Sequence, residues 1–265
     1  MASISGPTAP QQPAARQAYL PEEYTVAGVV LKFFEEKVKD VAKALGYTGF
    51  WLGQAIPNLP PEVKSFSGTM GDFKNFVSAT EVPKKGAEMV SAYNALFAAI
   101  ASANRVSEAA NEAFKKTTAF VNSVVDGIDF GSRFVAINTT VMTWLKGVNF
   151  TATLGSAING IREQIGNISK HYGETSKVHL YVLNGLRDLA YAAVGVQGLY
   201  SILTVTPVLP WLMVGCLTVG LTMTIGGYFY EKLCDPEGKG KNLNPEVVIR
   251  NSLARASHAL RNATV

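Results

Sequence analysis

Charge, cysteine and histidine are the scarce ingredients of this sequence. Of 265 residues only 17% are charged, where a soluble domain averages about 25%. Lys and Arg number 24 against 20 Asp and Glu, a net charge of +4. That excess is too small and too evenly spread to mark nucleic acid as a partner. Two cysteines and three histidines exclude a disulfide scaffold and a Cys/His zinc cluster. Also missing are a P-loop, a GxSxG elbow, an HExxH helix and a Gly-rich dinucleotide turn. Asp126, Asp129 and Glu163 form no acid/base constellation, and His171 and His179 are spaced as a surface or interfacial pair rather than a metal pair. The expectation is a protein with no catalytic residue, no metal, no cofactor and no small-molecule substrate.

Apolar residues are plentiful. They make up 48% of the chain and the mean hydropathy is +0.14. A disordered chain needs the opposite balance, and the surplus points toward a membrane. The strongest feature is Leu189–Tyr230, forty-two residues without Asp, Glu, Lys, Arg or His. One membrane span needs about 20 apolar residues, so this block has the length of two. Thr206-Pro207-Val208-Leu209-Pro210 divides it, because proline stops one helix and starts another.

The expected spans are 189–205 and 211–230, within a hairpin covering 187–232. Leu189 and Tyr230 bound it, Pro207 and Pro210 make its turn, and Trp211 sits where an interfacial aromatic belongs. Gly215 and Gly220 permit close helix packing, and Gln197 and Thr204 are placed to hydrogen-bond across to Thr218, Thr222 or Thr224. The alternative is an apolar hairpin buried in a soluble core. As a membrane hairpin its ends share one side, and Lys177, Arg187, Lys232, Lys239 and Lys241 put that side in the cytosol.

The remainder reads as all-α: a helical bundle or elongated helical stack, then the two-helix transmembrane hairpin, then a short C-terminal amphipathic helix. Residues 1–21, rich in Ala, Pro, Gln and Ser, lack the apolar run of a cleaved signal and read as a disordered tail or an uncleaved secretion signal. Over 22–186, the cytosol-facing region, apolar spacing predicts a helix from Tyr24 to Leu45 stopped by Gly46. The apolar 49–61 segment caps a core or dips into a membrane surface. A short helix follows Pro61, a long one covers 84–125 and breaks at Asp126-Gly127, and two more cover 128–146 and 151–169. A helix from Ser176 runs directly into the first span. In the tail, 233–265, a helix opens at Asn244-Pro245 with Ile249, Leu253 and Leu260 on one face and Arg250 and Arg255 off it. Such a helix lies on a membrane interface or packs back on the bundle. Cys234, beside the expected span, is a candidate for lipidation.

The bilobed uncharged block with its tight turn, and the Ser/Pro/Gln-rich start, resemble chlamydial inclusion membrane (Inc) proteins and, more broadly, type III secreted membrane effectors. The resemblance implies export by a bacterium and insertion into an inclusion or vacuole membrane. Both termini would face the host cytosol, and membrane lipids and an unidentified protein, or a second copy, would be the partners. The hairpin here follows a long helical region, where many Inc proteins place it earlier. Type III translocators, which form pores, and the membrane-shaping peroxin 11 family are similar in their mix of hydrophobic hairpins and amphipathic helices.

Overall fold

The computed structural model describes residues 25–234 and 245–263, with side chains for 25–232, 249–259 and 261. Every element in it is an α-helix: α1 (Val26–Ala55), α2 (Pro61–Thr80), α3 (Val82–Ala101), α4 (Val106–Gly131), α5 (Thr139–Lys170), α6 (Thr175–Thr204), α7 (Pro210–Cys234) and α8 (Pro245–Ala263). The expected tail over 1–21 lies outside the described residues.

Local chemistry sets the helix ends. The Thr25 hydroxyl accepts from the Gly28 amide at 3.0 Å and opens α1. The Asn138 side chain accepts from the Thr140 amide at 2.8 Å and opens α5. Each satisfies an amide that the helix itself leaves unpaired. Prolines 61 and 210 stand at the first positions of α2 and α7, where the missing N–H costs nothing.

Several boundaries differ from those the sequence suggests. Gly46 does not stop α1. It is buried where α1 meets α2, and a Cβ there would lie 2.6 Å from the Met70 carbonyl oxygen. The long helix of 84–125 is two helices, parted at Ser102–Arg105 by left-handed backbone at Ala103 and Arg105 (φ 50° at both). Asp126-Gly127 breaks nothing, since α4 runs on to Gly131, and the helices expected over 128–146 and 151–169 are one helix, α5. The helix from 175 into the apolar block, the turn at 205–209 and the last helix lie where the sequence puts them.

The helices pack as antiparallel neighbours around a closed ring. α1 packs on α2 and on α7; α2 and α3 lie in tandem along α4; α4 packs on α5, α5 on α6, and α6 on α7. α6 and α7 are thus two staves of the ring, each with a neighbour outside the hairpin. Close approach of α5 and α6 depends on Gly198, whose missing Cβ leaves the space that the Phe150 ring fills.

The apolar core is small. Val194, Met213 and Leu217 are buried, with Tyr47, Trp51, Phe150, Tyr191, Val208 and Cys216 packed against them. Burying a side chain the size of Met213 is worth about 1.5–3 kcal/mol. Elsewhere the interior is polar: Asn75, Ser78, Thr118, Ser123, Asp126 and Asp188 are buried. Outside the ring, thirty-eight large apolar side chains are exposed, against fourteen apolar residues buried, among the described residues.

Candidate functional site: the uncharged end of the ring and its lumen

Antiparallel packing brings distant stretches of chain to one end. The turns at 56–60, 132–138 and 205–209 share that end. It therefore collects three uncharged stretches: 44–61, 134–145 and the middle of 189–230. Phe66, Phe134, Val135, Trp144, Leu203, Val205, Leu209 and Trp211 are all exposed there, Val205 at 90% and Leu203 at 80%. The opposite end carries the charges of α1, the His171–Glu174 corner and Glu231-Lys232. Exposed apolar side chains gathered at one end of a fold mark an interaction site.

Among the described residues α7 is the one helix long and apolar enough to cross a membrane, over Pro210–Lys232, and 28% of an eighteen-residue apolar stretch within it is buried in the ring. The core helix of a soluble protein would be mostly covered. Here Trp211, Leu212, Gly215 and Val219 face outward. α6 exposes Leu189, Val196, Tyr200 and Leu203, and Val205 is exposed in the turn that follows.

The residues expected to build the hairpin fall into two groups. Leu189, Pro207, Trp211 and Gly215 are exposed, and a Cβ at Gly215 would meet nothing within 4 Å. Gln197, Pro210 and Tyr230 are half-buried, and Gly220 is buried against the Tyr191 ring. Tyr230 meets His179 on α6, with 3.2 Å from its hydroxyl to Nδ1. Two of the threonines expected to bond between the two spans, Thr204 and Thr224, make local hydrogen bonds. Thr204 donates to the Tyr200 carbonyl at 2.7 Å and lies 2.6 Å from the Thr206 hydroxyl, and Thr224 donates to the Gly220 carbonyl at 2.8 Å. A helical hydroxyl reaches its own i−4 carbonyl more readily than a neighbour's side chain. The turn is held by Ser201, which donates to the Thr206 carbonyl at 2.6 Å.

On α8, Ile249 and Leu253 are exposed, Arg250 is exposed and Arg255 half-buried. Ser252 ties α8 to the start of α1 by accepting from the Val26 amide at 3.0 Å. The side chains of Leu260 and Cys234 lie outside the described residues. Among those described, no group of three or more His, Cys, Asp or Glu is arranged to hold a metal.

Sequence reasoning missed the lumen. Lys74 on α2 is ion-paired to Asp126 on α4, and Asn149 on α5 donates to the same carboxylate at 3.1 Å. The Lys74 ammonium stands 4.9 Å from the centre of the Tyr47 ring. Burial, with the Asp126 and Asp129 charges nearby, pushes the Tyr47 hydroxyl up to about 12. At the α2–α3 corner, Lys43 donates to Glu81 at 2.6 Å and Lys85 lies 3.1 Å from the same carboxylate. Burial would raise Glu81, but the two lysines outweigh it and hold it below the ordinary carboxylate range. Lys85 is lowered by burial and by Lys43. The only sequence signal for this network is the i, i+3 spacing of Asp126 with Asp129, which by itself reads as a solvated face.

Among the cavities of the lumen, two share a wall. One, of about 340 Å³, lies between Lys43, Ser78, Asn122, Ser156 and Asp188. The other, of about 690 Å³, opens at the uncharged end between Phe50, Asp129, Arg133, Lys146 and the 205–208 turn. Tyr47, Lys74, Asp126, Asn149 and Phe150 wall both.

No family model, curated protein or solved structure matches this chain.

Proposed function

We propose that this chain is an integral membrane protein that enters the bilayer by the uncharged end of its ring, led by the α6–α7 hairpin. The charged end, both termini and α8 then share the cytosolic face. The observation that carries the reading is α7: long and apolar enough over Pro210–Lys232 to cross a membrane, with Trp211, Leu212, Gly215 and Val219 exposed on one side. Its outer face needs an apolar neighbour, and hydrocarbon supplies one along the whole helix. α6 joins it as a second, shorter span from Leu189 to Val205, about 25 Å of helix against a hydrocarbon core of about 30 Å. The exposed aromatics at the turns suit the interface.

The cytosolic face, with α3 and α8 at its margin, is the surface offered to a protein partner or a second copy. Residence in a bacterial inclusion membrane as a secreted effector belongs to the same proposal and rests on the resemblance to Inc proteins. A membrane-shaping role is favoured by α8, whose exposed Ile249 and Leu253 fit an interfacial helix.

Flotation after an alkaline carbonate wash tests the anchoring. Full-length protein should float with the membrane, and removal of 187–232 should abolish retention. Release of the full-length chain by the wash would overturn the reading.

A further inference from the structure

The larger cavity has a feature that its role as ring interior does not require. Of six charged groups in its wall, four are committed to each other: Lys74 to Asp126, and Arg133 to Asp72 at 2.7 Å. The other two are Asp129 and Lys146. The Asp129 carboxylate accepts from the Asn75 amide at 2.6 Å and meets no cation among the described residues. The Lys146 ammonium, exposed at the rim, meets no carboxylate among them. A negative and a positive group therefore stand uncommitted in one cavity of about 690 Å³, a volume in the range of small-molecule sites.

The rest of the wall mixes the aromatic rings of Phe50, Trp51 and Phe150 with polar side chains, among them Asn75, Thr143 and Asn149. Gly68 leaves its part of the wall open, since a Cβ there would meet nothing within 4 Å. Aromatic faces beside a carboxylate are the usual setting for an alkylated ammonium. The cavity mouth lies against Val205–Val208, among the exposed apolar residues of the uncharged end.

We infer that this cavity binds a molecule carrying both an ammonium and a phosphodiester: the ammonium against Asp129 and the aromatic wall, the phosphate at Lys146. A purely anionic ligand would set its charge against Asp129, and a purely cationic one against Lys146. A ligand of both signs neutralises both. A phospholipid headgroup and a water-soluble phosphodiester share this chemistry. The inference stands on the cavity and does not require α6 and α7 to cross the bilayer.

The test uses purified full-length protein in a non-ionic maltoside, titrated with three probes below their micelle concentrations: dihexanoylphosphatidylcholine, dihexanoylphosphatidylglycerol and glycerophosphocholine. The zwitterionic lipid should bind at least about tenfold more tightly than the anionic one. Asp129→Asn and Lys146→Gln should each weaken it by about tenfold, and Asp129→Asn should narrow the preference over phosphatidylglycerol. Circular dichroism melting, unchanged in both variants, separates loss of the site from loss of fold. Should a variant melt early, Thr143→Val in the same wall serves as the second probe and should weaken binding without changing the charge preference. Binding of glycerophosphocholine as tight as that of the lipid assigns the site to a soluble phosphodiester; its failure to bind assigns it to a lipid. Equal affinity for phosphatidylcholine and phosphatidylglycerol, or affinity untouched by both charge variants, would overturn the inference. A protein that failed to float on membranes but passed this test would retain the site and lose the anchor.

Discussion

Lys74 on α2 and Asp126 on α4 form an ion pair between neighbouring helices at the lumen of the ring, with side chains 14% and 9% exposed. The pair joins staves that are fifty-two residues apart in sequence, and Asn149 adds the third helix. A charge buried here survives only because its partner is present. Removing one member leaves the other uncompensated, which costs more than the pair contributes net.

Asp126→Ala should therefore lower the stability of the folded protein by roughly 3 kcal/mol. Lys74→Met/Asp126→Leu together should cost much less than either single change, because no lone charge remains. Chemical unfolding in detergent, arranged as a double-mutant cycle, measures the difference.

Acid should loosen the α2–α3 corner. Glu81 is held below the ordinary carboxylate range by Lys43 and Lys85. A group whose folded value is lowered contributes stability above its unfolded value, and that contribution is lost as pH falls through the folded one. The corner is then intact at neutral pH and weakens only below about pH 4.5. Glu81→Gln should flatten this acid limb of a stability–pH curve, and an unchanged limb would assign it to other carboxylates.

Gly198→Ala should destabilise the α5–α6 contact by roughly 1–3 kcal/mol, since its Cβ would occupy the space of the Phe150 ring. Gly215→Ala, with nothing within 4 Å of its Cβ, should leave the melting midpoint unchanged or raise it. Thermal melts of the two variants side by side check the contrast.

How far the sequence reveals this architecture is clear from particular positions. The turn at Thr206–Pro210 and the start of α8 at Pro245 were legible because proline acts locally. Gly46, Asp126 and Gly127 were misleading, because their helix-breaking tendency of about 1 kcal/mol or less is overridden by packing. Gly46 is needed for the approach of α2, and Asp126 has a lysine waiting for it. The break at Ser102–Arg105 left no proline or glycine to read. The hairpin residues could be named from hydropathy, but which of them face out could not. Leu217 looks as lipid-facing as Val219 in sequence, yet it is 2% exposed and Val219 is 44% exposed. The lumen was invisible because its pairs join residues far apart in sequence.

That last contrast supplies the most direct measurement. Val219→Arg places a charge on the outer face of α7, where insertion should cost about 2.5–3.5 kcal/mol while the packing inside the ring is untouched. Carbonate-resistant membrane retention of Val219→Arg should fall sharply against the wild type, with Phe97→Arg on the exposed face of α3 retained as well as wild type. Equal retention of all three proteins would contradict a lipid-facing α7 and, with it, the membrane account.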